Sequence, residues 1–331
     1  MSIYSKSRIF LSTLLCMTLN VTLLFAQSSS VDQQQVEKVL QFSDSTGATK
    51  AMLMHSGEVI GSFSSEECDS TYMNTASMVK SWTGLAVGVL ADQGKISVDD
   101  TVCEYLPEWK AGCENDVTIK QLLTMSSGLL KIRPASKSIL AQDDMNAFAL
   151  KQDLPADPGS RFSYSNEGAQ LLGILIERVS GQSANNFFNE HLFEPLNMDS
   201  TRLVKDQSGN YVMYGGAQTT VQDAAKIGQL VLNNGNYKNK QVVSEDWISR
   251  MLTPSKTAKY YGYLWWISPS HIGKPLENYA AMGDMGQLTV VYPNKNLVYV
   301  RQQSCKKEGI PNMSWSGLEF YEMVGRVIES K

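Results

Sequence analysis

Two hydrophobic periods alternate along the 331-residue chain. Residues 31–42 carry apolar positions at helical spacing and predict a first amphipathic helix. Met52 to Met54, the turn His55-Ser56-Gly57-Glu58 and Val59 to Phe63 then read as strand, turn and strand. Residues 77–93 predict a long helix whose apolar face holds Leu85, Ala86, Val89 and Leu90, with Gly94 as its left-handed cap. From about 95 to 250 the pattern is mostly helical. It predicts short helices over 121–126 and 143–150, a longer one over 168–179 halted by Gly181, and another over 221–233. Pro155, Pro158 and Gly159 interrupt this stretch just before Phe162-Ser163-Tyr164-Ser165-Asn166. Beyond Pro254 the period shortens to that of strands, over 260–267, 288–293 and 297–303, with Asn294-Lys295-Asn296 as a hairpin turn. A last helix is predicted over 316–328. Strands at both ends of a helical middle predict an α/β (α+β) fold: one sheet flanked by helices, with an inserted helical part. The sheet part is expected at about 31–100 and 255–331, and the helical part at about 101–254.

Composition narrows the class. With 43% apolar and 19% charged residues the chain has enough apolar residues for a sizeable core. A net charge of −4 and no basic run argue against nucleic acid as a partner. At the N-terminus Lys6 and Arg8 precede an apolar run from Ile9 to Phe25, which Ser12, Thr13, Thr18, Asn20 and Thr22 dilute. Leu24-Phe25-Ala26 ends it, so residues 1–26 read as a cleaved export signal and 27–331 as the mature catalytic chain. The run is short and polar for a membrane span, and Leu15 before Cys16 is not the small residue of a lipoprotein cleavage site. A periplasmic or secreted location, with no stable membrane span after signal removal, is therefore expected. There disulfides persist, and Cys68, Cys103, Cys113 and Cys305 remain. Three pairings are open. The short loop with Pro107 and Gly112 between them favours a Cys103–Cys113 bridge.

Candidate chemistry starts with exclusions. The three histidines, His55, His191 and His271, have no metal-ligand spacing, and no G-x-S-x-G is present. Neither a metal nor a cofactor is called for, and a Ser-His-Asp enzyme is disfavoured. Ser77-Met78-Val79-Lys80 is more informative. A serine hydroxyl needs a nearby base, and residues three apart on a helix share a face. At a helix start the serine also meets unpaired backbone N–H groups able to hold an oxyanion, and burial would lower the lysine pKa towards neutrality. Ser304-Cys305-Lys306-Lys307 repeats the spacing but follows a strand and opens no helix. Tyr164-Ser165-Asn166 is one of four Tyr-x-Asn tripeptides, the others starting at Tyr72, Tyr237 and Tyr292. It alone follows a Pro158-Gly159 loop and leads into a helix.

Five stretches in order carry a resemblance over the whole mature chain. They are Ala76 to Ser81, Gln121 to Leu129, Pro158 to Asn166, Gly215 to Asp223 and Gly283 to Gln287. Together they resemble the β-lactamase-related serine hydrolases: class C β-lactamases, D-alanyl-D-alanine carboxypeptidases, certain esterases and 6-aminohexanoate-dimer hydrolases. The resemblance implies a serine β-lactamase/transpeptidase-like fold with the site between sheet and helical part. Ser77 would attack a carbonyl to form an acyl-enzyme, with Lys80 and Tyr164 sharing the proton transfers. Asn166 would hydrogen-bond the lysine or the substrate. The N–H groups of Ser77 and Asp284 would form the oxyanion hole, the second reached through Gly283. Where family members carry a cation two residues before that glycine, this chain has Ala281. Trp265 and Trp266 are candidate walls of an apolar acyl pocket, though sheet packing accounts for at least one of them. The expected partner is a small ester or amide. A β-lactamase or carboxypeptidase is the alternative within the fold, and an inactive peptidoglycan- or peptide-binding protein the alternative outside it. The oligomeric state is not legible.

Overall fold

The computed structural model describes residues 30–65, 72–267, 278–304 and 318–329. The expected signal segment, Cys68, Cys305, His271 and the second serine–lysine pair's Lys307 lie outside the described residues.

Six strands form one antiparallel sheet: β1 (Lys50–His55), β2 (Glu58–Ser64), β3 (Trp266–Ile267), β4 (Tyr279–Gly283), β5 (Gln287–Tyr292) and β6 (Leu297–Gln302). Their order across the sheet is β2-β1-β6-β5-β4-β3. The two-residue period along each strand sorts side chains to two buried faces. Ala51, Leu53, Ala280, Leu288, Val290, Leu297 and Tyr299 face one core, and Met52, Ala281, Val291, Val298 and Val300 face the other. Burial on both faces explains why β5 and β6 read as nearly continuous apolar runs.

Helices cover both faces. Helix α1 (Gln33–Ser45) starts at the cap Asp32, whose carboxylate accepts the Gln35 N–H at 3.0 Å. Phe42 of α1 stacks on Phe320 of the C-terminal helix, and both belong to the first core. The second core is larger and is threaded by α2 (Val79–Asp92), in which every residue from Val79 to Leu90 is buried. Around it stand α3 (Ile119–Leu123), α4 (Asn166–Ser180), α5 (Val221–Leu232) and α6 (Glu245–Met251). Helix α5 lies directly on the sheet, because Gly228 has no side chain: a Cβ there would stand 2.5 Å from Val298. The closing helix is α7 (Leu318–Gly325), and Ile328–Glu329 pairs as a short strand with Ser30–Val31. Among the described residues no helix is long and apolar enough to cross a membrane.

Two expectations change. The predicted strand over 260–267 is largely turns, and only Trp266–Ile267 pairs with β4. Its aromatic residues pack as a cluster rather than a ladder, with Phe162 edge-on to both Tyr260 and Tyr261. Helix α2 is buried all round rather than on one face, since it runs between sheet and helical part. Cys103 and Cys113 are disulfide-bonded, joining the 3-10 turn Val102–Glu104 to the short helix Lys110–Glu114.

Candidate active site

The entry to α2 positions Ser77, the candidate nucleophile. Residues Ala76–Met78 form a 3-10 turn that passes straight into the α-helix, so Ser77 and Lys80 lie three apart on one continuous spiral. Ser77 lies in the first turn, where N–H groups have no acceptor from a preceding turn. The Lys80 amine sits 2.8 Å from Ser77 Oγ and donates to the Tyr214 carbonyl oxygen at 2.6 Å. Lys80 is 1% exposed, in a helix with no polar face. That burial holds its pKa well below the ordinary lysine value; the charge of Glu167 opposes the shift and that of Lys131 adds to it.

Tyr164 arrives from the Pro158-Gly159 loop. Ser165 caps α4 by accepting the Gly168 N–H at 3.1 Å, which fixes the residue on either side of it. Burial pushes the Tyr164 phenol up to about 12, and the neighbouring Ser77 hydroxyl works against that shift. The Lys80 amine stands 4.8 Å from the centre of the Tyr164 ring. Trp266 holds the tyrosine in place by stacking on it at 5.7 Å. A buried amine of lowered pKa at the Ser77 oxygen, with a buried phenol beside it, is a combination that can take a proton and return it.

The sheet closes the other side. Gly283 ends β4 beside the turn that carries Ser77: a Cβ there would fall 2.4 Å from the Thr75 carbonyl oxygen and 3.1 Å from the Met78 nitrogen. Only glycine lets the strand approach so closely. Asp284 follows, its carboxylate accepting the Met285 N–H at 2.9 Å, and Met285 adopts φ 59°. These walls enclose a cavity of about 1120 Å³, lined by Ser77, Tyr164, Asn166, Trp266, Gly283 and Asp284 among others.

The structure separates some expected partners. Trp265 is fully buried and its indole N–H donates to the Ser81 carbonyl oxygen at 3.2 Å, so it is scaffold, whereas Trp266 lines the cavity. The amine of Lys80 meets the Tyr214 carbonyl, not Asn166, although Asn166 does line the cavity. Ala281 points into the core beneath α2. Arg161 does not line the cavity, and Arg301 is buried, donating to the carbonyl oxygens of Gly286 and Thr46. Ser304 of the second serine–lysine pair lines the cavity and bonds Thr49. Two residues escaped the sequence reading. Tyr214 acts through its carbonyl, which no side-chain pattern reveals. Glu167 is a buried carboxylate at the cavity, held by the Ser165 hydroxyl at 3.0 Å and the Ile139 N–H at 3.4 Å. Among the described residues no cluster of His, Cys, Asp or Glu could hold a metal ion.

Comparison with known proteins bears on this arrangement. Residues 47–306 match the sequence model of the family described as Beta-lactamase. The chain belongs to the Beta-lactamase family. Its relatives there are serine hydrolases. One is the 6-aminohexanoate-dimer hydrolase of Paenarthrobacter ureafaciens, 25% identical over 73% of this chain and 68% of that protein. Another is Protein flp of Staphylococcus aureus (strain MW2), 32% identical over 40% of this chain; the match spans only 28% of that longer protein. Among solved structures, a family VIII carboxylesterase superposes with a TM-score of 0.71 at 18% identity, covering 91% of this chain and 99% of the other, and shows the shared fold.

Proposed function

We propose that this Beta-lactamase-family protein hydrolyses a small ester or amide through an acyl-Ser77 intermediate. The observation that carries the reading is the 2.8 Å contact between Ser77 Oγ and a buried Lys80 amine whose pKa burial lowers well below the ordinary lysine value. Lys80 accepts the Ser77 proton during attack, and Tyr164 relays it to the leaving group. The N–H groups of Ser77 and Asp284 hold the oxyanion, an assignment supported by the close packing of Gly283 against the Ser77 turn. Water then releases the acyl group by the reverse path. The N-terminal apolar run and the Cys103–Cys113 bridge support export to the periplasm or medium, where such a bond persists.

Covalent labelling tests the reading. A fluorophosphonate probe is expected to label the native chain at Ser77 and to leave Ser77→Ala unlabelled, with turnover of p-nitrophenyl esters reduced at least about a hundredfold. Labelling of the alanine variant at another serine would overturn the assignment, and a native chain that neither labels nor turns over would be a binding protein.

A further inference from the structure

The turn that ends β4 is gripped from behind the sheet. Arg301 stands on β6 opposite Leu288 of β5. The two-residue period puts it on the same face as Leu297 and Tyr299, away from α2 and the cavity. It is 0% exposed. Burying a guanidinium is costly unless its N–H groups find acceptors. One of its amino groups donates to the Gly286 carbonyl oxygen at 2.9 Å, with the Met285 carbonyl oxygen 3.5 Å away. The other donates at 2.6 Å to the carbonyl oxygen of Thr46, the C-terminal cap of α1, where the helix dipole favours a cation. Only a planar fork can span two such acceptors; the single nitrogen of a lysine cannot.

The gripped turn is an awkward one. Met285 and Gly286 are both left-handed, at φ 59° and φ 81°, a conformation that a residue with a side chain disfavours. The Met285 N–H donates to the Asp284 carboxylate and the Gln287 N–H to the Asp284 carbonyl oxygen. The stem below is secured independently. Five residue pairs join β4 to β5, and the Gln287 side-chain amide donates to the Gln303 carbonyl oxygen at 2.6 Å. Arg301 therefore acts on the tip of the hairpin rather than on its strands.

From this geometry we infer that Arg301 is a positioning residue for the reaction: its grip on the Gly286 carbonyl fixes the Asp284–Gly286 turn and so aims the Asp284 N–H at the oxyanion. The peptide planes of so short a turn are rigid and linked, so anchoring a carbonyl at one end restrains the N–H at the other. The inference rests on the acyl-serine reading, which supplies the oxyanion. Losing an oxyanion donor outright costs about a hundred- to a thousandfold, so a donor that stays but wanders should cost roughly ten- to a hundredfold.

A pair of esters reads the oxyanion contact directly. In O-p-nitrophenyl thionobutyrate, sulfur replaces the carbonyl oxygen of p-nitrophenyl butyrate. Sulfur is larger and a poorer hydrogen-bond acceptor, so a well-aimed pair of N–H groups discriminates against it. The ratio of kcat/KM for the oxygen ester to that for the sulfur ester is independent of how much of the enzyme is folded, because that fraction cancels. For the native chain the ratio is expected to exceed the ratio for hydroxide attack in solution by at least about tenfold. In Arg301→Met it should fall towards the solution value, while kcat/KM for the oxygen ester drops by the factor above. Arg301→Lys fills the space and keeps the charge without the fork, and should lower the ratio as well. A ratio unchanged in every variant that folds, however low the activity, would overturn the inference and leave the acyl-serine reading standing. So would a native ratio no higher than in solution, or failure of both variants to fold, which would make Arg301 a requirement of the whole sheet. A native chain that hydrolyses neither ester would overturn the acyl-serine reading and this inference with it.

Discussion

Lys80 one turn on, Tyr164 from the loop before α4 and the glycine end of β4 come together around the turn that carries Ser77. Under the proposed mechanism Lys80 and Tyr164 share one proton path, so their losses should not multiply. Lys80→Ala and Tyr164→Phe are each expected to cripple acylation, with the double variant barely worse than either. Strictly multiplicative losses in single-turnover acylation would show two separate paths. The pH profile follows from the shift directions. Below the depressed Lys80 pKa the amine is protonated and cannot accept the serine proton, so kcat/KM rises with pH through that value. Tyr164 keeps its proton until about 12, so the plateau should hold to roughly pH 10. A falling limb near neutrality that disappears in Tyr164→Phe would mean that the phenol ionises far earlier than its burial implies.

Among elements, α2 shows how local pattern and tertiary context divide the work. Its length and its glycine end were legible in the run after Ser77, and Gly94 does adopt φ 67°. Its complete burial was not, since a short apolar run looks the same on one buried face or on all. That burial is what lowers the pKa of an otherwise ordinary lysine. The stretch over 260–267 failed as a strand for a related reason. Its Tyr and Trp residues suit a sheet, but here their rings pack against Phe162 and Tyr164 instead of forming a ladder. The small 3-10 and helical elements around residue 105 have little core of their own and are cross-linked by Cys103–Cys113. Closing a ten-residue span contributes about 2–3 kcal/mol in the chain-entropy account. Peptide mass spectrometry of the chain recovered from its native host, without reduction, is expected to show this link together with Gln27 as the first residue. Free thiols at both positions would argue against an oxidising compartment, and an intact Met1 against cleavage.

At the scale of the whole molecule, the cavity between sheet and helical part sets selectivity. Its strand-side position is occupied by Ala281, buried beneath α2, and β4 and β5 offer no cation. A substrate whose carboxylate must lie on that side loses a charge-assisted hydrogen bond of about 1.5–3 kcal/mol, or roughly ten- to a hundredfold. Simple p-nitrophenyl esters are therefore expected to exceed a chromogenic cephalosporin in kcat/KM by at least about tenfold. A cephalosporin that proves the better substrate would return the protein to β-lactamase chemistry and show that another group meets its carboxylate.

The sequence by itself determined the fold class and the family, and singled out Ser77 and Lys80 as the candidate nucleophile and base. Those depend on local order: Ser and Lys three apart at a helix start, strand runs at both ends, and a loop delivering Tyr164 to a helix cap. Only the tertiary structure decided which tryptophan faces the cavity, which carbonyl receives the lysine, and which of Arg133, Arg161 and Arg301 reaches the site. Adjacent residues on an extended chain point to opposite sides, so Trp265 and Trp266 part company as soon as one side is core. A backbone carbonyl has no sequence signature, and a cation's reach depends on how its loop is folded. Lys131 and Arg133 look like ordinary surface charges along the chain, and become part of the cavity because their segment folds across its helical side.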